Sequence, residues 1–207
     1  MTVTQRYRYC WKPLVFAAAI VPLLSMLAGI FGIAGQRLGA DPVEDLLLTC
    51  GKTALNLLCL TLAVTPAAKI AHRPQWLRLR RMLGLAAFSY AVLHFAVYLV
   101  LDRSLDAAMI VEDIAKRPYI TIGFTALLCL VPLAATSTQR MMQRLGRRWR
   151  QLHRLVYIAV PFAVWHFLWL ERDRLTLAWI YAGLVTLLLI ARLPFVRRFL
   201  ARPPAQR

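Results

Sequence analysis

The chain has 207 residues, 60% of them hydrophobic and 17% charged, with a mean hydropathy of +0.58. A soluble domain of this length is nearer half apolar and a quarter charged, and this composition would expose large sticky patches in water. A soluble globular fold, a disordered or collagen-like chain and a secreted disulfide scaffold are therefore excluded, and the sequence reads as an integral membrane protein.

In chain order, six apolar stretches approach the ~20 residues that cross a bilayer at about 1.5 Å of rise each. They predict an all-α membrane protein, a six-transmembrane helix bundle forming a single domain over 1–207. Span one, 14–34, is too long for a signal-peptide core and has no convincing cleavage site. Span two, 46–66, carries Lys52 and Asn56 near its outer end. Those residues are unusual for a lipid face: either they are buried against the bundle, or Lys52 snorkels outward. Span three, 83–101, carries His94. The loop that follows, DRSLDAAMIVEDIAKRP (102–118), predicts a short surface helix whose Met109, Ile110 and Val111 touch the membrane face. Spans four (119–136), five (152–170, with His166) and six (175–192) complete the set. Strand alternation is absent, which argues against a barrel, and no internal repeat is evident.

Lys and Arg number 26 against 9 Asp and Glu, a formal net charge of +17. Such a balance invites a nucleic-acid partner, but the placement of the charges argues otherwise. With the N-terminus in the cytoplasm, most basic residues fall on that side: Arg6, Arg8 and Lys12, then Lys69, Arg73, Arg78, Arg80 and Arg81, then the 137–151 loop with Arg154, and the tail from Arg192. All nine acids (Asp41, Glu44, Asp45, Asp102, Asp106, Glu112, Asp113, Glu171 and Asp173) fall on the other side. The positive-inside rule accounts for this without nucleic acid and puts both termini in the cytoplasm. Trp11, Trp76, Trp149, Trp169 and Trp179 lie near span ends, where amphipathic rings favour the headgroup layer.

Ionisable groups inside a membrane are costly and are read as functional by default. Measured from the inner span ends, His94 lies about 17 Å deep and His166 about 21 Å, on different helices in the outer half of the bilayer. A neutral imidazole has a lone pair that suits iron, and two facing ones clamp a planar macrocycle. One intramembrane histidine is as often a hydrogen-bonded packing residue; two at one depth, with no buried carboxylate beside them, favour bis-histidine heme ligation. Phe95, Tyr98, Phe162, Trp165 and Phe167 can wall such a site, although aromatics pack helices anyway. His153 lies thirteen residues before His166, about 20 Å along the axis, which suits an inner-leaflet site in distance. Ideal helical phase turns those two rings apart, with Pro161 between them able to change it. His72, in a basic loop, reads as a solvated residue. Arg78, Arg80, Arg81 and Arg154 are first of all topology charges meeting anionic lipid; functionally, such guanidinium groups suit heme propionates or a flavin phosphate. Cys10, Cys50, Cys59 and Cys129 show no metal-ligand spacing and imply no disulfide. No Walker loop, dinucleotide fingerprint, nucleophile elbow or zinc-protease motif is present.

Four blocks carry a family resemblance: GKTALNLLCLTLAVTP (51–66), RRMLGLAAFSYAVLH (80–94), RPYITIGFTALLCLVPLAATS (117–137) and LGRRWRQLHRLVYIAVPFAVWHFLW (145–169). In them the chain resembles the MsrQ (YedZ) heme-binding membrane subunits of the protein-methionine-sulfoxide reductase system, within the ferric-reductase-like transmembrane superfamily. The resemblance implies a multi-pass protein of the bacterial inner membrane that carries heme b and FMN and performs no substrate chemistry itself. It implies electrons drawn from the quinone pool or a cytosolic flavin reductase and delivered to a periplasmic MsrP-like molybdopterin reductase. The family histidines carry over onto His94, His153 and His166 as metal ligands, with Arg80 and Arg81 beside the cofactors. Ferric reductases and NADPH oxidases place a second histidine on span three, fourteen residues before the first; here that position is Arg80. One bis-histidine site is thus expected in the outer leaflet. The inner site, around His153 and Arg80, is expected to be empty, differently ligated, or occupied by flavin or quinol. The chain ends without the oxidases' FAD/NADPH domain, so reducing equivalents are expected from elsewhere. The acidic loop 102–117 is expected to offer the outer partner a docking surface. A cytochrome b561-like quinol oxidoreductase, a transporter, or a structural subunit are the competing readings.

Overall fold

The computed structural model describes residue 5 and residues 7–35, 38–170 and 175–192. Arg6, the acids Glu171 and Asp173, and the basic tail beyond Arg192 lie outside the described residues. Where lipid replaces water, backbone groups must be satisfied within the segment. Every regular element among the described residues is accordingly helical. Helix α1 (Lys12–Phe31) stops at Gly32, whose φ of +64° suits a residue without Cβ. The long α2 (Pro42–Ile70) starts on Asp41, whose carboxylate accepts the Val43 and Glu44 N–H groups at 3.0 Å each. Helix α3 (Leu79–Val97) continues into a wide turn over Tyr98–Asp102, where the Arg103 N–H reaches five residues back to the Tyr98 carbonyl. The expected surface helix is present as α4 (Ala107–Lys116), capped by Asp106, with Met109 and Val111 exposed and Ile110 half-buried.

Then come α5 (Pro118–Ala135), two short helices α6 (Gln139–Leu145) and α7 (Arg147–Leu152), a tight turn at His153–Leu155, α8 (Val156–Leu170) and α9 (Leu175–Ile190). Among the described residues, five helical stretches are long and apolar enough to cross a membrane: Tyr9–Phe31, Pro42–Ile70, Pro74–Asp102, Pro118–Ala135 and Arg147–Leu170. The sixth expected stretch forms α9, a shorter apolar helix of 16 residues.

The bundle is assembled from two antiparallel pairs. Helix α2 packs most extensively on α3, and α5 next most extensively on α8, with α1 laid against the first pair and α9 across α8 and α2. Small residues make close approach possible in the core: Ala87 on α3, Ala159 on α8 and Ala178 on α9 are fully buried. Polar links add specificity. The Tyr90 hydroxyl is inserted into the α1 ladder next to Pro22, donating to the Ala19 carbonyl at 2.8 Å and accepting the Leu23 N–H at 3.0 Å. Asn56 on α2 accepts the Tyr181 hydroxyl of α9 at 2.6 Å, and the Lys52 ammonium lies 5.9 Å from the centre of the Phe167 ring. Both polar residues of span two thus touch a neighbouring helix, Lys52 half-buried and Asn56 still exposed.

Pro66 lies inside α2, so the Leu62 carbonyl one turn earlier has no helical N–H to accept. Arg192, at the end of α9, supplies the missing donor. Its Nη2 stands 2.9 Å from the Leu62 carbonyl and 3.3 Å from the Thr65 hydroxyl, while Nη1 donates to the Tyr157 hydroxyl at 3.2 Å. One guanidinium thus ties α2, α8 and α9 together at a single end.

Candidate metal centre

The two pairs meet at the end of the bundle opposite that clasp, and each contributes one imidazole. His94, near the end of α3, reaches across to α2, where its Nδ1 lies 2.9 Å from the Leu47 carbonyl. His166, near the end of α8, reaches across to α5, where its Nδ1 lies 2.7 Å from the Tyr119 carbonyl. A carbonyl only accepts, so each Nδ1 carries the proton and donates it, and each Nε2 keeps its lone pair. The ring centres are 6.2 Å apart and the ring planes cross at 77°. Two metal–imidazole bonds of about 2 Å each, plus the half-widths of the two rings, amount to about 6 Å. The spacing between the rings is therefore wide enough for one metal ion to be shared by both imidazoles.

Both histidines line a cavity of about 440 Å³ walled by Phe95, Tyr98, Tyr119, Phe124 and Phe167. Among the described residues no group of three or more His, Cys, Asp or Glu side chains is placed to hold a metal ion. Two imidazoles alone leave a metal short of ligands, so an ion held here must bring an equatorial set of its own, as a macrocycle does. The mouth of the cavity is charged, with Lys52, Arg103 and Arg117 beside Asp41, Glu44 and Asp102.

The structure brings together His94 and His166 and leaves the other candidates apart. His153 lies at the far end of α8, its ring stacked on Trp149 at 3.9 Å between centres and its Nδ1 donating to the Trp149 carbonyl at 3.1 Å. Arg80, close to His153, and Arg81 are exposed at the start of α3. His72 is exposed in the turn after α2. Of the five expected wall aromatics, Phe95, Tyr98 and Phe167 line the cavity. Phe162 and Trp165 do not, and Trp165 is half-exposed because one step along α8 turns it about 100° away from His166.

Three features lay beyond the sequence reading. Gly51 and Gly123 sit directly against the His94 and His166 rings. Asp113, assigned to an acidic surface, is instead buried among Tyr98, Arg103 and Arg117. The other loop acids are also engaged: Asp106 caps α4, Asp102 lies 3.4 Å from Arg103, and Glu112 pairs with Lys116. Each of these loop acids thus has an internal partner, Asp106 and Glu112 while remaining exposed, and α4 also presents Met109, Val111 and Ile114 outward.

A bundle of membrane-crossing helices that faces two imidazoles across one gap is the arrangement of a membrane cytochrome-like component. Residues 50–164 match the family described as ferric reductase like transmembrane component. A protein-methionine-sulfoxide reductase heme-binding subunit MsrQ of Ralstonia nicotianae is 45% identical over 187 residues, covering 89% of this chain and 85% of the relative. MsrQ proteins of Xanthomonas axonopodis pv. citri (45% over 181 residues; 86% and 83% covered) and Brucella anthropi (46% over 184 residues; 88% and 82% covered) are similarly close. The chain belongs to the ferric-reductase-like transmembrane family and, within it, to the MsrQ subunits.

Proposed function

We propose that this chain is a b-type cytochrome subunit of the inner membrane, supplying electrons to an MsrP-like periplasmic reductase that repairs methionine sulfoxide in oxidised proteins. The observation that carries the reading is the His94–His166 pair, 6.2 Å between ring centres with each Nδ1 tied to a backbone carbonyl. Relatives of the same family are named as heme-binding subunits of that reductase system. Heme held there supplies one-electron chemistry at its iron, with no proton required at the metal.

The chain's own residues do the rest. His94 and His166 would hold the iron through their Nε2 atoms, and the Leu47 and Tyr119 carbonyls fix which ring nitrogen each one offers. Phe95, Phe124 and Phe167 keep the surroundings apolar, which holds water off and tunes the potential. Lys52 and Arg117 at the mouth provide cations for the propionate carboxylates. The distribution of basic residues supports a cytoplasmic position for the Arg80 and His153 end, where a quinol or reduced flavin would give up its electrons, with α9 as a sixth crossing.

To test ligation, the full chain and its His94→Ala and His166→Ala variants are purified and their visible spectra recorded. Each variant is expected to lose the six-coordinate Soret and α bands. Retention of those bands by both variants overturns the assignment.

A further inference from the structure

The two imidazoles are seated in the same way at the same interval. Each histidine donates to a carbonyl that lies 47 residues earlier in the chain. Four residues beyond each of those carbonyls, Leu47 and Tyr119, stands a glycine: Gly51 and Gly123. In an α-helix the carbonyl of residue i already accepts from the N–H of residue i+4, and the Cβ of that later residue tilts back toward it. A side chain at i+4 therefore crowds the second lone pair of the carbonyl. A methyl group on Gly51 would stand 3.2 Å from both Nδ1 and Cε1 of His94. On Gly123 it would stand 2.8 Å from Nδ1 and 3.0 Å from Cε1 of His166, closer than real contacts allow. The same bundle provides contrasting glycines: a Cβ on Gly84 meets the Thr61 methyl at 3.9 Å, and one on Gly183 meets nothing within 4 Å.

We infer that Gly51 and Gly123 are paired positioning residues, which bare the Leu47 and Tyr119 carbonyls so that each binds an Nδ1–H and commits the opposite Nε2 to the shared gap. The inference rests on the axial role proposed above and deepens it. A carbonyl pulling on Nδ1–H makes the imidazole a more basic ligand, which favours the oxidised metal and lowers its potential. Two seats of the same design would apply that pull through both histidines at once. Neither glycine touches the metal; both act through the histidines.

The test uses the full chain loaded with heme and the single variants Gly51→Ala, Gly123→Ala, Gly84→Ala and Gly183→Ala, beside His94→Ala and His166→Ala. Heme content per chain, visible spectrum and reductive titration are the readouts. Gly123→Ala is expected to lose heme affinity about tenfold or more, the scale on which a ligand's hydrogen-bond partner matters. Gly51→Ala is expected to keep its heme with a raised midpoint potential, because its neighbours need yield only a few tenths of an ångström. Gly84→Ala and Gly183→Ala are expected to match the parent. Where Gly123→Ala fails to accumulate, Gly51→Ala decides. A parental potential in Gly51→Ala, with or without a drop in thermal stability, overturns the inference, since a glycine needed only for packing would leave the potential where it was. Loss of the heme bands in the histidine variants alongside unchanged glycine variants defeats this inference alone; retention of the bands in the histidine variants defeats the proposed function.

Discussion

The Asp113 carboxylate accepts from three groups on two sides of the cavity mouth. Arg103 Nε lies 2.5 Å and the Tyr98 hydroxyl 3.0 Å from one oxygen, and Arg117 Nε lies 3.2 Å from the other. Tyr98 and Arg103 follow directly on the helix that carries His94, whereas Arg117 precedes α5, whose Tyr119 carbonyl holds His166. One acid thus keeps the two halves of the candidate metal centre in register. Removing it leaves two guanidinium groups facing each other without their shared counter-charge. A fully dry pair would lose 3–5 kcal/mol on such a change, but Arg117 is half-exposed, so Asp113→Ala is expected to cost about 2–3 kcal/mol. A heat denaturation in detergent, followed by circular dichroism, measures it, and an unchanged transition would refute the linking role. The sequence pointed to His94 and His166 because an ionisable group in an apolar run stands out by itself. Gly51 and Gly123 did not stand out, because a glycine announces nothing until the carbonyl beneath it and the ring above it are both known. Asp113 was misread for a related reason: a carboxylate in a polar loop looks solvated until its cationic neighbours are located in space.

Among the elements, α2 and α9 depend on each other through an irregularity in one and the last described residue of the other. Pro66 leaves the Leu62 carbonyl without its helical donor, and Arg192 occupies that vacancy at 2.9 Å. The sequence reading counted Arg192 as the first charge of a cytoplasmic tail. Its partners lie on α2 and α8, far back along the chain, so nothing near it in sequence gives the contact away. Arg192→Leu is expected to cost about 1–3 kcal/mol, the penalty of an unsatisfied buried carbonyl. In a Pro66→Ala background the Leu62 carbonyl regains its own N–H, and the same change is expected to cost measurably less. A double-mutant cycle on thermal stability reads that coupling, and strictly additive losses would show that the clasp acts elsewhere. The existence of the long apolar helices and of α4 was legible, because length and apolar continuity are local properties, whereas the short α6 and α7 lie in what the sequence reading took for a basic loop. Helix ends were less so: α2 begins at Pro42 and runs to Ile70, beyond the apolar core of 46–66 in both directions, since Asp41 caps it in the polar layer.

Over the whole molecule, the pairs α2–α3 and α5–α8 form two similar halves, each a first helix bearing a carbonyl and a glycine and a second helix bearing a histidine. No repeat was evident in the sequence, because the halves share a spacing and a geometry rather than residues. The charge bias along the chain leads to an orientation that is checked directly. Cys10, exposed at the Arg80 end, is expected to react with a membrane-impermeant maleimide only after cells are opened, whereas Ala107→Cys on α4 is expected to react in intact spheroplasts. The reverse pattern would invert the proposed topology. The Arg192 clasp also has a consequence for how the protein is made. Its two ends are 130 residues apart, and at about 5–20 residues per second a ribosome needs on the order of ten seconds to deliver the second after the first. For that interval the newly inserted α2 lacks the donor that closes its Leu62 carbonyl, so this end of the helix is completed only once α9 has been made.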